Sequence, residues 1–307
     1  MTTIIFLIII ILLFIVLLVF PDRVSEPMQQ NKRINHIKPI LWSYWEIKNR
    51  DNIPSYINLC FETFFKHCSQ TYEIIILNDK TVYDYLPDLR TDINQLNLAA
   101  KSDYIRIALL YKYGGLWLDA DTIVMCDLQQ IIDKLNENHD FIGFGCTGKK
   151  CLDSGYPYPS NGAMASQENG ILVGKVLNEL DRILDQYFKT EIYQDKKFGY
   201  FELGKNLIWK ELDKLRQKKY DYYHFPASSD GSRDNRGEWI APDLIFNRDI
   251  KLMDEKELLF VFLANSYYCG DDPKYNWFCE MSKDKILNDS LYISKLFNKS
   301  LNKNKNN

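Results

Sequence analysis

Histidine is scarce in this chain, with four copies in 307 residues, and the seven cysteines (Cys60, Cys68, Cys126, Cys146, Cys151, Cys269, Cys279) include no Cys-x-x-Cys pair. A zinc site of the usual ligand spacing is not expected from that distribution. Basic charge is not in excess either: 38 Lys and Arg stand against 41 Asp and Glu, for a formal charge of -3. A general electrostatic attraction to nucleic acid is therefore not implied, and nucleic acid is not an expected partner. No internal repeat is found. At 46% hydrophobic residues the chain also lacks the signature of disorder. What it has in quantity is aromatic side chains, 20 Tyr and 17 Phe among them. These suit core filling, and they equally suit the lining of a sugar or nucleotide site. The length allows one large core or two small ones.

The longest hydrophobic run lies at the front. Ile4 to Phe20 is unbroken hydrocarbon, and with Thr2 and Thr3 it reaches the roughly 20 residues that cross a bilayer as a helix. No basic residue precedes it, and Val19, Phe20 and Pro21 offer no small-residue cleavage site. Residues 1–21 therefore read as an uncleaved transmembrane anchor, a signal-anchor in the lipid bilayer, and residues 22–38 as a polar stem. Its orientation is ambiguous. Arg23, Lys32, Arg33 and Lys38 follow the run, which by the positive-inside rule leaves the body cytoplasmic. Two sequons, at Asn288 and Asn298, are usable only in a lumen of the Golgi or endoplasmic reticulum type. Local disulfides, Cys146/Cys151 and Cys269/Cys279, are open to a lumenal body; buried free thiols fit as well.

Residues 39–300 carry the globular pattern, and 301–307 form a polar tail. PILWSYWE reads as a strand. PSYINLCFETFFKHC places Ile57, Phe61, Phe64, Phe65 and Cys68 at helical spacing, and YEIIILND reads as a strand buried on both faces. Strand, helix, strand in that order predicts a βαβ unit in an α/β sandwich. A further helix is expected over about Asn94 to Tyr113, stopped by Gly114-Gly115. LWLDADTIVM then reads as strand, polar break and strand. LQQIIDKLN, ILVGKVLNELDRILDQYF and FELGKNLIWKELDKLRQ read as helices, and DFIGFG, AMAS and ELLFVFLANS as strands.

Asp119 and Asp121 stand one residue apart at the end of an apolar run. At a strand end such a pair points to one side of the pleat, where two carboxylates repel unless a cation lies between them. Oxygen-only ligation suits Mg²⁺ or Mn²⁺, which keep positions for water and for phosphate oxygens. A capped turn or solvated loop is the competing reading of so short a motif.

The stretch AAKSDYIRIALLYKYGGLWLDADTIVM resembles the central motif of DXD-containing glycosyltransferases, specifically the capsular-polysaccharide-synthesis group and family 32 sugar transferases. The similarity extends more weakly upstream through PILWSYWE and EIIILND and is loose in the second half of the chain. The resemblance implies a GT-A-like nucleotide-sugar-binding sandwich with a mixed central sheet, preceded by the single transmembrane helix. It also implies a metal-dependent, retaining transfer from a UDP- or GDP-sugar to a glycan, glycoprotein or glycolipid acceptor. By the same resemblance Asp119 and Asp121 would hold the metal and act in catalysis. Ser102 and Asp103 of the Ser-Asp pair would serve the donor, Asp103 by accepting hydrogen bonds from ribose or sugar hydroxyls. Arg106 would lie near the sugar or diphosphate, Trp42 or Tyr44 would flank the base, and Asn161 of SNGAMAS would face the active site. Structural roles compete at several of these positions. Asp103 and Arg106 also suit an exposed helix ion pair, Trp42 and Trp45 suit a core, and Asn161 suits a loop cap. The segments YFELGKN and FLANSYYCG are further candidate suppliers of site residues. NSYYCGDDPKYNW stands where relatives close over the donor with a His/Trp segment. Two other functions fit the carboxylates: a sugar-nucleotide or glycan-binding protein that has lost turnover, and a metal-dependent phosphoesterase or nucleotidyltransferase.

Overall fold

A computed structural model describes residues 37–47, 53–145, 158–189, 197–236, 238, 240, 245–246, 250–252, 256–269 and 275–302. The chain divides into two units, Met1–Ile37 and Lys38–Asn307, and the second holds every element below. The expected anchor, all but the end of the stem, the Cys146/Cys151 pair and the tail beyond Asn302 lie outside the described residues. No described helix is long and apolar enough to cross a membrane.

In chain order the elements are β1 (Ile40–Tyr44), α1 (Ser55–Cys68), β2 (Glu73–Leu77), α2 (Val82–Tyr85), a 3₁₀ turn (Thr91–Gln95), α3 (Leu98–Tyr113), β3 (Gly115–Leu118) and β4 (Thr122–Val124). They continue with α4 (Gln129–Asn136), β5 (Phe141–Phe144), β6 (Ala163–Ser166), α5 (Ile171–Lys189), α6 (Lys205–Arg216), β7 (Tyr223–Phe225) and β8 (Phe260–Phe262). The chain ends with α7 (Asn265–Tyr268), α8 (Asn276–Cys279), α9 (Lys283–Asn288) and α10 (Tyr292–Asn302). Six strands form one sheet in the order β2-β1-β3-β6-β5-β7, and β4 pairs with β8 in a second. The large sheet is mixed, as expected: β1/β2, β1/β3 and β5/β7 run parallel, whereas β6 is antiparallel to both its neighbours.

Alternation along the strands divides the core between the two faces of this sheet. Ile40, Trp42, Tyr44 and Trp117 pack with residues of α3, α5 and α6, while Leu41, Leu116 and Leu118 pack with α1, β4, β8 and α10. Three sequence expectations need correction. The strand EIIIL is an edge strand bonded to β1 alone, so its Ile74, Ile75 and Ile76 are half-buried and not enclosed on both faces. Phe65 falls off the inward stripe of α1, which Ile57, Phe61, Phe64 and Cys68 form without it, and is 51% exposed. The long helix begins at Leu98, four residues later than its apolar pattern suggests, because the Asn97 side chain accepts from the Ala100 N–H at 2.9 Å and caps it there.

Gly114 and Gly115 connect α3 to β3 with φ of +67° and +96°. The Gly114 N–H closes the helix on the Leu110 carbonyl at 2.9 Å. The next residue must then turn straight into the sheet beside β1, and a Cβ on Gly115 would overlap the Ile40 carbonyl oxygen. Gly115→Ala is therefore expected to cost about 2 kcal/mol or more in denaturant unfolding. Gly199→Ala, whose Cβ would meet nothing nearer than 3.7 Å, should stay within about 0.5 kcal/mol of the parent.

Candidate functional site

The ends of β1 and β3 and the start of the antiparallel β6 share one edge of the large sheet. Open α/β sheets bind ligands at the carboxyl ends of their parallel strands, and here that edge opens into a cleft of about 480 Å³. Tyr44 at the end of β1 forms one wall with Trp45 and Glu46 after it, and Asp119, Ala120 and Asp121 following β3 form the floor. Leu98, Ser102 and Arg106 of α3, Ser160 to Gly162 before β6, and Asn265 and Ser266 of α7 complete it.

Both aspartates reach the cleft, but by a different route from the one expected. The pleat ends at Leu118, and Asp119 to Asp121 form a turn that carries the chain from the large sheet to the small one. The Asp119 N–H bonds the Gly162 carbonyl at 2.8 Å, and the Asp121 carbonyl accepts from Leu263 N–H at 2.9 Å. Both ends of the turn are thus fastened to neighbouring strands, and this convergence replaces strand alternation. In each carboxylate one oxygen is held. Asp119 Oδ1 accepts from Trp117 Nε1 at 2.8 Å and lies 3.1 Å from Arg106 Nη1. Asp121 Oδ2 accepts from the Asn265 N–H at 2.9 Å. Asp119 Oδ2 and Asp121 Oδ1 accept no hydrogen bond from another described residue. Gly162 lies against the free oxygen of Asp119, where a Cβ would come within 3.2 Å.

Burial raises the pKa of Asp119, an effect that Arg106 and Trp117 oppose. Asp121 is pushed up to about 7, first by burial and then by the charge of Asp119. Asp103, Asp119 and Asp121 against Arg106 amount to three negative charges and one positive, a deficit of two at this edge of the cleft. A divalent cation fits this donor set: two hard oxygens, each on a carboxylate oriented by its other oxygen. Among the described residues no group of three metal-ligating side chains exists, so the remaining ligands would come from water and from phosphate oxygens.

Behind the floor, Arg106 ties the expected site residues together. Its guanidinium bonds the Asn161 carbonyl through Nη1, Ser102 Oγ at 3.1 Å and the Ser102 carbonyl at 3.3 Å, and it lies 3.3 Å from Asp103 and 5.1 Å over the Trp117 ring. Asp103 accepts from Asn161 Nδ2 at 2.9 Å. The Asp103–Arg106 pair is therefore a buried one, with side chains 4% and 5% exposed, and not the exposed helix pair that i,i+3 spacing allows. Burial pushes the Asp103 carboxyl up to about 6 against the pull of Arg106 and Asn161. Gly204, at the start of α6, packs so closely on this carboxyl that a Cβ would overlap it.

The sequence-predicted residues thus fall into two groups. Tyr44, Ser102, Arg106, Asp119, Asp121 and Asn161 line the cleft, whereas Asp103 stands behind Asn161 and Trp42 lies in the core. Trp42 is fully enclosed, donates to the Gly114 carbonyl at 2.9 Å and packs on Tyr85 and Tyr113, so no face of it meets the cleft. Tyr44 is 5% exposed, and its hydroxyl has no hydrogen-bond partner among the described residues. Sequence reading did not specify Glu46, Tyr200, Phe201, Asn265 or Ser266. The last four belong to the two segments YFELGKN and FLANSYYCG, whose only signal was aromatic and amide-rich composition near the ends of apolar runs. Glu46 is tied to Lys101 at 2.7 Å. Cys269, which follows α7, is disulfide-bonded to Cys279 with a Cα–Cα separation of 5.5 Å, matching one of the two local pairs.

Asp121 is ionised at a cost in the metal-free fold, and the sign of that cost sets a test. Its folded pKa lies above its unfolded value, so the penalty is full above about pH 7 and vanishes below the ordinary carboxylate value near 4. In a chelator, Asp121→Asn is expected to stabilise the protein at pH 8 by on the order of 1 kcal/mol and to give no gain at pH 4, as read from unfolding at the two pH values. Equal gains at both would remove the electrostatic account.

Comparison with known proteins follows the same line. Residues 20–224 match the sequence model of the family described as capsular polysaccharide synthesis protein. A search of curated protein sequences gives no match. Among solved structures, a glycosyltransferase involved in the glycosylation of the major capsid of PBCV-1 is 14% identical, over 79% of this chain and 98% of that one, with a TM-score of 0.40. Mouse xyloside xylosyltransferase 1 is 8% identical over 64% of this chain and 87% of that one, with a TM-score of 0.40. The galactosyltransferase LgtC is 12% identical over 78% and 94%, also at 0.40. Since the family match takes in well over half of the 307 residues and spans β1, α3 and the Asp119–Asp121 turn, the chain belongs to the capsular polysaccharide synthesis protein family.

Proposed function

We propose that this protein is a GT-A-type glycosyltransferase that uses Mn²⁺ or Mg²⁺ at Asp119 and Asp121 to move a sugar from a UDP- or GDP-linked donor to a glycan, protein or lipid-linked acceptor. The observation that carries the reading is the pair of carboxylates, each with one oxygen fixed by the protein and one left for a ligand, at the floor of a cleft. A divalent ion bound there would neutralise the pair and stabilise the charge that develops on the diphosphate as the sugar departs. The chain's own residues do the rest. Trp117, Arg106 and the Asn265 N–H keep the two carboxylates aimed. The Tyr44 hydroxyl, without a partner among the described residues, suits a hydrogen bond to the nucleotide, and Ser102 and Asn161, which also line the cleft, are proposed as further donor contacts. Asp103 serves the donor through Asn161, whose amide it holds.

Retention of configuration is part of the proposal. Among the described cleft residues the remaining carboxylate is Glu46, and its ion pair with Lys101 leaves neither a free base to activate an acceptor from the far side nor a free nucleophile. Front-face departure and attack on one side of the sugar requires neither. The protein is further proposed to be anchored through its apolar residues 4–20, with its body in a lumen. The Cys269–Cys279 disulfide suits an oxidising compartment.

Incubation of the purified protein with Mn²⁺ and a panel of UDP- and GDP-sugars is expected to release nucleoside diphosphate. Asp119→Asn and Asp121→Asn together should cut that rate by about a hundredfold or more. An unchanged rate would remove these residues from the chemistry. Release of nucleoside monophosphate with sugar phosphate would make the protein a phosphoesterase, and nucleotide binding without release a binding protein. Orientation has its own readout. Asn288 is exposed, whereas Asn298 donates to the Leu287 and Ser294 carbonyls at 2.7 and 3.0 Å and Ser300 is buried on the Val124 carbonyl. In secretory cells a glycosidase-sensitive mobility shift should appear that Asn288→Gln abolishes and Asn298→Gln does not.

A further inference from the structure

We propose that Tyr200 and Phe201 form a platform for a pyranose ring of the acceptor glycan at the open side of the cleft. The proposal rests on the glycosyltransferase reading and names the part of the site that the metal ligands do not serve.

Singly exposed apolar side chains are ordinary, but adjoining ones that line a cleft mark a binding surface. Tyr200 is 60% and Phe201 44% exposed, and both line the cleft; Leu98 on the α3 wall is also open, at 43%. The two rings meet edge to face, with centroids 4.8 Å apart and planes at 90°, so together they present a corner with two perpendicular faces. One face of Phe201 is already occupied, since Lys205 Nζ lies 3.7 Å from its centroid and 5.1 Å from that of Trp209. That contact orients the ring. The electron-rich ring faces attract the polarised C–H groups on the flat side of a pyranose, whose hydroxyls remain free for hydrogen bonds.

The pair is registered to the catalytic floor at both ends. Two residues beyond Phe201 and one more, Gly204 abuts the Asp103 carboxyl, which holds Asn161 and faces Arg106, the partner of Asp119. Although the Tyr200 ring is open, its hydroxyl end is enclosed: it reaches the Ser266 side chain on α7, and desolvation with the nearby charges of Asp121 and Asp119 raises its pKa. The platform therefore shares the cleft with the carboxylate pair. Depth separates it from the donor's side, because Tyr44, which also lines the cleft, is 5% exposed. A nucleotide must enter to reach Tyr44 and the free carboxylate oxygens, while a ring resting on Tyr200 and Phe201 keeps one side in solvent. That arrangement suits the end residue of a glycan whose remainder extends outward. Two rings offer an area matched to one sugar and too small for a lipid tail.

The test uses saturation-transfer NMR on the whole protein with the diamagnetic Mg²⁺ and UDP or GDP present. The probes are methyl glycosides of glucose, galactose, mannose and N-acetylglucosamine. At least one glycoside should receive saturation at its ring C–H protons. Its affinity should fall on the order of tenfold in Tyr200→Ala and Phe201→Ala and persist in Tyr200→Phe, which keeps the stacking face. Nucleotide affinity by calorimetry should change less than about twofold in all three. Absence of saturation in the parent, equal saturation in every variant, or a parallel loss of nucleotide affinity would each overturn the platform. Failure of the parent to bind nucleotide with Mn²⁺ would instead overturn the glycosyltransferase reading, whichever glycosides bind.

Discussion

The guanidinium of Arg106 is the interaction on which the site depends. It lies between Asp119 on the floor and Asp103 behind it, bonds Ser102 and the Asn161 carbonyl, and covers the Trp117 ring. A charge so enclosed is tolerable only when paired and hydrogen-bonded on every side. Arg106 meets that condition with residues drawn from α3, the end of β3 and the loop before β6. Removing it would leave Asp103 and Asp119 with only the neutral donors Asn161 and Trp117, a loss of structure as much as of charge. The residue thus acts by holding one Asp119 oxygen so that the other stays available.

This arrangement explains why the fold tolerates an unbalanced cleft. The sheet is neutral to the choice of ligand, since its two faces are filled by aliphatic and aromatic side chains that alternate along β1 and β3. The cost is confined to the strand ends, where raised carboxyl pKa values record it. Raised values of this kind fit the cation site proposed for Asp119 and Asp121.

Local signals carried the fold far. Apolar runs of strand length located β1, β3, β5 and β6, the stripes of α1 and α5 were periodic, and Gly114-Gly115 marked the end of α3. The Asp pair and the Ser102–Arg106 stretch lay within one continuous segment, so their convergence was legible too. What was not legible depended on partners distant in the chain. Whether EIIIL lay inside the sheet or at its edge was decided by pairing, and Phe65 by the exact azimuth of its helix. Trp42 looked like a platform because its type suits stacking, but its indole N–H had a partner 72 residues away. Asp103 was moved behind the wall by Asn161 and Gly204, residues brought to it by β6 and α6. The aromatic turn at Tyr200 and Phe201 had no periodicity at all, and its place followed from the packing of Gly204.

The central claim is that the free oxygens of Asp119 and Asp121 hold one divalent ion while their other oxygens remain bonded to the protein. The most direct measurement is an anomalous difference map at the manganese edge from crystals grown with Mn²⁺ and a nucleoside diphosphate. The account predicts one peak within coordination distance of both Asp119 Oδ2 and Asp121 Oδ1, with Arg106 still on Asp119 Oδ1. A nucleotide bound in the cleft with no metal at that position, or a metal held elsewhere, would contradict it.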